Sequence, residues 1–178
     1  MDKISTSSVF SEVSYFKGIK YPDERGIFEK PFYGKNLYKN FQEIREVIVS
    51  TSKSNVIRGL HFQSPPKEIK KLIYCIEGKI KDVFVDLRKN SGTYGLHDHV
   101  ILSEDNDKSV LIPEGFAHGY SVLSASATVL YIQSGDYSPD EDAGIHPLSL
   151  GIDWEIIKPI ISIKDLSLPK LEEFKSPW

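Results

Sequence analysis

Between residues 44 and 132 the chain is a succession of short runs of β-branched and aromatic residues, at 44–50, 71–76, 80–87, 99–102, 109–112, 120–123 and 127–132, most of them closed off by Gly, Pro, Asp or Ser. Such runs have strand length, and many of them at this spacing form the pattern of an all-β sandwich or jelly roll. The runs at 71–76 and 80–87 flank Glu77-Gly78-Lys79, the arrangement expected of a β-hairpin. In the second arm Val83, Val85 and Leu87 alternate with Asp82, Phe84 and Asp86, so one face carries carboxylates that are out of place in a plain apolar core.

The flanks are read in the same way. An opening strand or two is expected within 8–21, Asp23-Glu24-Arg25-Gly26 is a turn leading into Ile27 and Phe28, and Pro31 marks an edge or a bend. Asn36-Leu37-Tyr38-Lys39-Asn40-Phe41 predicts a short helical turn, and a polar loop at 51–55 precedes a strand restarting at Val56-Ile57. In the tail, 159–163 is expected to be extended and 169–174 helical, with Pro169 at the first helical position. The expected architecture is one domain over 1–178, a β-sandwich with short peripheral helices and a helical C-terminal tail.

Composition narrows the class. Hydrophobic residues make up 40% and charged residues 26%, as in an ordinary globular protein. No apolar run approaches the roughly 20 residues that cross a bilayer, and a net charge of -3 speaks against nucleic acid or an anionic membrane as partner. Cys75 is the single cysteine and cannot pair internally, and the first residues lack a secretory apolar core, so a cytoplasmic protein is expected.

The stretch Arg58-Gly59-Leu60-His61-Phe62-Gln63 places a cation and an imidazole three residues apart. In an extended segment such side chains point to opposite faces, so they converge only if the chain bends, which Gly59 permits. The plain alternative is a surface Arg beside a structural His. A jelly-roll metal site needs two neighbouring His, a Glu and a further His; His61 with a distal His118 leaves that set incomplete, and no metal is expected. Cys75 falls mid-strand, where an inert thiol is the default. Acid–base chemistry remains, with His61, Lys71, Asp82, Asp86, Tyr131 and Tyr137 as its candidates. A His with a carboxylate partner is a general base near neutral pH, a tyrosine across the substrate is a general acid, and an ammonium stabilises an enolate.

These residues stand in ordered motifs that resemble the dTDP-4-dehydrorhamnose 3,5-epimerases over about residues 20 to 170. The motifs are Asp23-Glu24-Arg25-Gly26-Ile27-Phe28, the Arg58 to Gln63 stretch, Lys71-Leu72, Asp82-Val83-Phe84-Val85-Asp86-Leu87-Arg88, Ser91-Gly92-Thr93-Tyr94-Gly95, the run from Ile112 through His118 to Tyr120, Tyr131, Tyr137-Ser138-Pro139 and Ile152-Asp153-Trp154. The resemblance implies a cupin-type jelly roll, a homodimer, no cofactor, and epimerisation of a nucleotide-linked 4-keto-6-deoxy sugar. It implies His61 as base oriented by Asp165, Tyr131 as acid on the opposite face and Lys71 at the enolate oxygen, with Asp82 and His118 supporting that polar network. Arg25, Arg58 and Lys164 would meet the diphosphate or sugar, and Tyr137 would stack on the base. Phe28 and Gln63, inside the matching motifs, are further substrate-binding candidates.

The chain departs from the family pattern at nucleotide-contacting positions: Lys30 replaces a Glu, Glu46 and Ile48 replace the Gln and Asn of a Gln-x-Asn motif, and Asp142 replaces a Glu. The reaction machinery is thus kept while the base-reading contacts change, which leaves the nucleotide and a hexose or heptose sugar open. Epimerisation at C3 alone is the alternative within the class; a metal-dependent cupin oxygenase and a non-catalytic sugar-nucleotide-binding cupin are the alternatives outside it.

Overall fold

The short runs pair as strands of two antiparallel sheets stacked face to face. The computed structural model describes residues 2–34, 41 and 43–178. A six-stranded sheet has the order β1 (Asp2–Thr6), β2 (Ser14–Lys17), β10 (Lys108–Ile112), β7 (Lys71–Glu77), β12 (Ser126–Gln133) and β5 (Glu46–Lys53). A five-stranded sheet has the order β13 (Asp142–Gly144), β6 (Ile57–Gln63), β11 (Phe116–Val122), β8 (Lys79–Asp86) and β9 (His97–Ser103). β3 (Ile19–Asp23) and β4 (Gly26–Lys30) pair only with each other, as a separate hairpin.

The interior between the sheets is filled by Phe10, Ile73, Cys75, Ile80, Phe84, Val110, Phe116, Val122 and Val129. Phe10 anchors it, meeting Phe84 and Phe116 edge-on at 5.9 and 5.1 Å between centroids. β8 is buried on both faces. Phe84 enters the interior, whereas Val83, Val85 and Leu87 pack under the C-terminal segment with Leu60, Phe62 and Trp154. That segment seals the outer face through Phe174 and Trp178, whose rings stand 5.5 and 5.3 Å from Phe62.

Several expectations change. The runs around Gly78 are not a hairpin: β7 pairs with β10 and β12, β8 with β11 and β9, so Gly78, at φ +80°, hands the chain from one sheet to the other. A Gly between two apolar runs signals a reversal but not whether the strands then bond edge to edge or stack. β2 and the start of β3 are strands within the expected 8–21 region, but β1 precedes it, and Phe10 and Val13 are core plugs in a loop rather than strand residues. The tail is less helical than expected. A one-turn helix α1 (Ile163–Leu166) starts at the last residue of the segment read as extended, and 169–174 holds only a 3₁₀ turn, Leu171–Glu173. Lys170 is the cap of that turn, so Pro169 lies before it rather than inside. The helical turn expected at 36–41 lies, apart from Phe41, outside the described residues.

The register between β6 and β11 carries the feature that positions the site. His118 pairs with His61 and Tyr120 with Arg58, so two residues of β6, Gly59 and Leu60, oppose the single Gly119. This bulge keeps Leu60 and Phe62 on the outer face while both Arg58 and His61 turn inward. Gly59 adopts φ +115°, which L side chains rarely take, and the strands touch there: a Cβ on Gly119 would lie 2.4 Å from the Arg58 carbonyl oxygen and 3.1 Å from Gly59 Cα. Gly119→Ala is therefore expected to lower stability by about 1–3 kcal/mol through forced separation of these backbones. Urea denaturation measures this, and an unchanged midpoint would show that the strands have room to spare.

Candidate active site

A cavity of ≈ 310 Å³ opens between β5, β7 and β12 on one side and β6, β11 and β13 on the other. Strand alternation supplies its walls: Ile48 and Ser50 from β5, Arg58, His61 and Gln63 from β6, Lys71 from β7, His118 from β11, Tyr131 from β12. Here the sandwich interior changes from apolar filling to titratable groups.

His61 is partly open, with a third (33%) of its side chain exposed, and its Nε2 lies 2.8 Å from Asp165 Oδ1. Asp165 comes from α1 and is fixed from three directions, since its Oδ2 accepts the Gly59 N–H at 3.2 Å and its own N–H donates to Ser162 Oγ. Burial pushes the Asp165 carboxyl up, but His61, the Gly59 N–H and Ser162 together hold it below the ordinary value. An ionised Asp165 accepts the Nε2 proton, which makes Nδ1 the basic nitrogen of a neutral His61.

Across β11 stands a second imidazole–carboxylate pair, fully enclosed. His118 Nε2 is 2.7 Å from Asp82 Oδ2, and Asp82 Oδ1 has no hydrogen-bond partner among the described residues. Burial raises the Asp82 carboxyl, with His118 and Lys71 opposing the rise. Lys71 Nζ donates to the His61 carbonyl oxygen at 3.2 Å, and burial brings its ammonium down to about 8 against the attraction of Asp142 and Asp82. Tyr131 is held well above 10, by burial first and then by neighbouring acidic groups including Asp82, so it stays a protonated phenol. Its ring meets that of His118 edge-on at 6.0 Å.

The rim gathers other residues singled out in the sequence. Tyr137 donates its N–H to Glu46 Oε1 and its hydroxyl to Asp142 Oδ2, both at 2.9 Å, and Asp142 also takes the Lys164 ammonium. Gln63 spends both amide protons on the carbonyls of Lys67 and Asp136 and accepts from Ser138 N–H, so it fastens the loop that carries Tyr137. Arg25, Phe28 and Lys30 are not brought to this cavity within one chain. They ride on the β3–β4 hairpin, where Arg25 is 84% exposed and paired with Asp23, and Lys30 lies near the Tyr21 and Phe28 rings. Among the described residues no three His, Cys, Asp or Glu converge as a metal-ligand set; His61 and His118 are each committed to a carboxylate of their own. Ser50, Ser52 and Tyr120, hydroxyls in and behind the wall, are not among the site candidates that the sequence offers. The period of two running from Glu46 and Ile48 through Ser50 to Ser52 is the signal that places those serines on the cavity face.

A lysine ammonium held at about 8 weakens the fold. Its folded value lies below the ordinary 10.5, so the penalty is full below about pH 8 and fades as pH climbs toward 10.5, where the unfolded chain also loses the proton. Lys71→Met should therefore raise the denaturation midpoint at pH 7, and the gain should shrink between about pH 8 and 10.5. An equal gain at all pH values would show that Lys71 is not strained by its surroundings.

Comparison with known proteins gives the family. The family model described as dTDP-4-dehydrorhamnose 3,5-epimerase matches residues 8–173. A dTDP-4-dehydrorhamnose 3,5-epimerase of Methanothermobacter thermautotrophicus is 44% identical over 160 residues, covering 86% of each chain. A dTDP-4-dehydrorhamnose 3-epimerase of Streptomyces niveus is 39% identical over 119 residues, covering 66% of this chain and 58% of its own. The crystal structure of the Bacillus anthracis 3,5-epimerase, with TDP and PPi bound, superposes with a TM-score of 0.86 at 37% identity, covering 95% of this chain and 98% of that one. The sandwich is thus of the cupin type, and the chain belongs to the dTDP-4-dehydrorhamnose 3,5-epimerase family, an isomerase by class.

Proposed function

We propose that this protein inverts C3 and C5 of a nucleoside-diphospho-4-keto-6-deoxy sugar by moving protons across the ring, with no resident cofactor. The observation that carries this reading is the placement of a carboxylate-backed imidazole, a protonated phenol and a lysine ammonium on the walls of one cavity. Neutral His61 takes the proton from the carbon next to the C4 carbonyl, and the C–H electron pair becomes the enolate. Asp165 stabilises the imidazolium that forms. Lys71, as a cation, meets the charge on the enolate oxygen, with Asp82 and His118 fixing the polar wall around it. Tyr131 then delivers its hydroxyl proton to the opposite face of the carbon, and the configuration inverts.

The nucleotide falls to the rim, where Tyr137 offers a ring for the base and Arg58 and Lys164 offer cations for the diphosphate. Ile48 and the carboxylates Glu46 and Asp142 give that rim an edge chemistry of its own, so the base is open among dTDP, UDP, GDP and CDP. A homodimer completes the reading. The edge strand β5 exposes Val47 and Val49, and the β3–β4 hairpin exposes Ile27 and Phe28, apolar surfaces suited to a second copy. A hairpin docked on that copy would bring Arg25, Phe28 and Lys30 to its cavity. A nucleotide-activated substrate and a lone buried thiol suit the cytoplasm.

Inversion at C3 alone is the second reading, favoured by the likeness to the 3-epimerase of Streptomyces niveus. Incubation with the keto sugar in deuterium oxide separates the two: label at C3 and C5 is expected, label at one carbon removes the double epimerase, and label at neither removes the class. His61→Asn should lower turnover by roughly 10²- to 10⁴-fold while nucleotide affinity is kept; unchanged turnover would strip His61 of the base role. Because the lysine cation is lost as pH rises, kcat should fall above about pH 8, and Lys71→Arg should flatten that limb at a lower maximum. A wild-type profile level to pH 10 would remove the ammonium from the scheme.

A further inference from the structure

The rim of the cavity carries two carboxylates that the proton-transfer scheme does not use, and both hold Tyr137, from opposite ends. Glu46 Oε1 accepts the Tyr137 N–H at 2.9 Å, and Asp142 Oδ2 accepts the Tyr137 hydroxyl proton at 2.9 Å. Asp142 also takes the Lys164 ammonium, whereas Glu46 has no ion pair among the described residues. The strand fixes where Glu46 stands. Along β5, Glu46, Ile48 and Ser50 alternate onto the cavity face, with Ile48 in register with Tyr131 and Glu46 with Gln133.

The hydrogen bonds of the rim thus run in order from Lys164 to Asp142, to the hydroxyl end of Tyr137, to its backbone end and to Glu46. A nucleotide laid along them, diphosphate at Lys164 and base over the exposed Tyr137 ring, puts its ribose beside Asp142. The edge of the base farthest from the sugar then falls at Glu46. That is the Watson–Crick edge, on which the bases differ most.

A carboxylate only accepts hydrogen bonds, and its oxygens have about four sites between them, so the bond to Tyr137 leaves Glu46 able to take two more. Thymine and uracil present one N–H between two carbonyl oxygens, and a carboxylate facing that edge sets an oxygen against a carbonyl. Cytosine and adenine present one amino group beside acceptors. Guanine has two adjacent donors, N1–H and the 2-amino group, which one carboxylate accepts as a pair.

We propose that Glu46 selects the nucleotide and that the base it selects is guanine, so that the substrate is a guanosine diphospho sugar. The inference rests on the reading of this cavity as a nucleotide-sugar site with Tyr137 under the base. Glu46 favours guanine by two charge-assisted bonds and disfavours thymine by repulsion, the two halves of a specific site.

The test is calorimetric titration of the full chain with GDP, IDP, dTDP, UDP and CDP at one ionic strength. GDP should bind about 10- to 100-fold more tightly than dTDP, the range a bidentate contact to a base supplies. IDP, which is GDP without the 2-amino group, should bind roughly 10-fold more weakly than GDP. Glu46→Gln keeps an oxygen for the Tyr137 N–H and adds a donor, so it should weaken GDP by about 10-fold and strengthen dTDP. The proposal is overturned if wild-type protein binds dTDP, UDP or CDP as tightly as GDP, if IDP equals GDP, or if folded Glu46→Gln keeps the GDP preference. The IDP comparison needs no variant and decides alone if Glu46→Gln does not fold. Wild-type protein that binds none of the five would instead defeat the reading of the cavity on which the proposal stands.

Discussion

The contact on which the rest of this structure depends is the approach of two backbones at Gly59 and Gly119. Without side chains at either position, β6 and β11 close to a distance that no other residue pair would allow, and the bulge opposite Gly119 absorbs the odd residue. A regular strand would send Arg58 and His61 to different faces. The bulge sends both inward, leaves Leu60 and Phe62 to the outer cluster, and frees the Gly59 N–H for Asp165. One local irregularity thus sets the direction of Arg58 and of His61 and part of the support that Asp165 gives to His61.

A second constraint is electrostatic. The middle of a β-sandwich is a poor place for charge, and this one holds Asp82, His118, Lys71 and Tyr131 in or beside it. The groups are made tolerable in different ways. Asp82 and His118 hydrogen-bond each other at 2.7 Å, Tyr131 stays protonated, and Lys71 is pushed toward its neutral form. Such displaced titrations mark the cavity off from the ordinary apolar clusters of the interior and the outer face.

How far the sequence reveals this molecule differs between its layers. Short β-branched runs announce the strands, because alternation and turn residues are local signals, and most of the strands between 44 and 133 fall where the runs predict. Pairing is another matter: Gly78 looks like the tip of a hairpin because its local chemistry is that of any reversal, and only sheet-to-sheet packing makes it a crossover. The tail misleads for a similar reason. Its apolar residues follow no period, since they fill gaps over the outer face of the five-stranded sheet rather than form an element of their own. Of the site, His61, Lys71, Asp82, His118, Tyr131 and Asp165 were nameable from motif resemblance, and they do gather around one cavity. The pairing of Asp165 with a residue so distant in sequence has no local signature. Nor has the depth at which Tyr120 lies, or the distance of the Arg25 hairpin from the cavity of its own chain.

The distance in sequence between His61 and Asp165, 104 residues, bears on how this protein comes into being. Both sheets can in principle pair before the last stretch has left the ribosome, because every strand of the sandwich ends by Gly144. The imidazole is by then in place but lacks its carboxylate. Only when the closing segment lays Trp154, Phe174 and Trp178 over the outer face does α1 arrive with Asp165. The pairing of His61 with Asp165 in this sense follows the strands of both sheets in synthesis, and it arrives together with the cover over the outer apolar face.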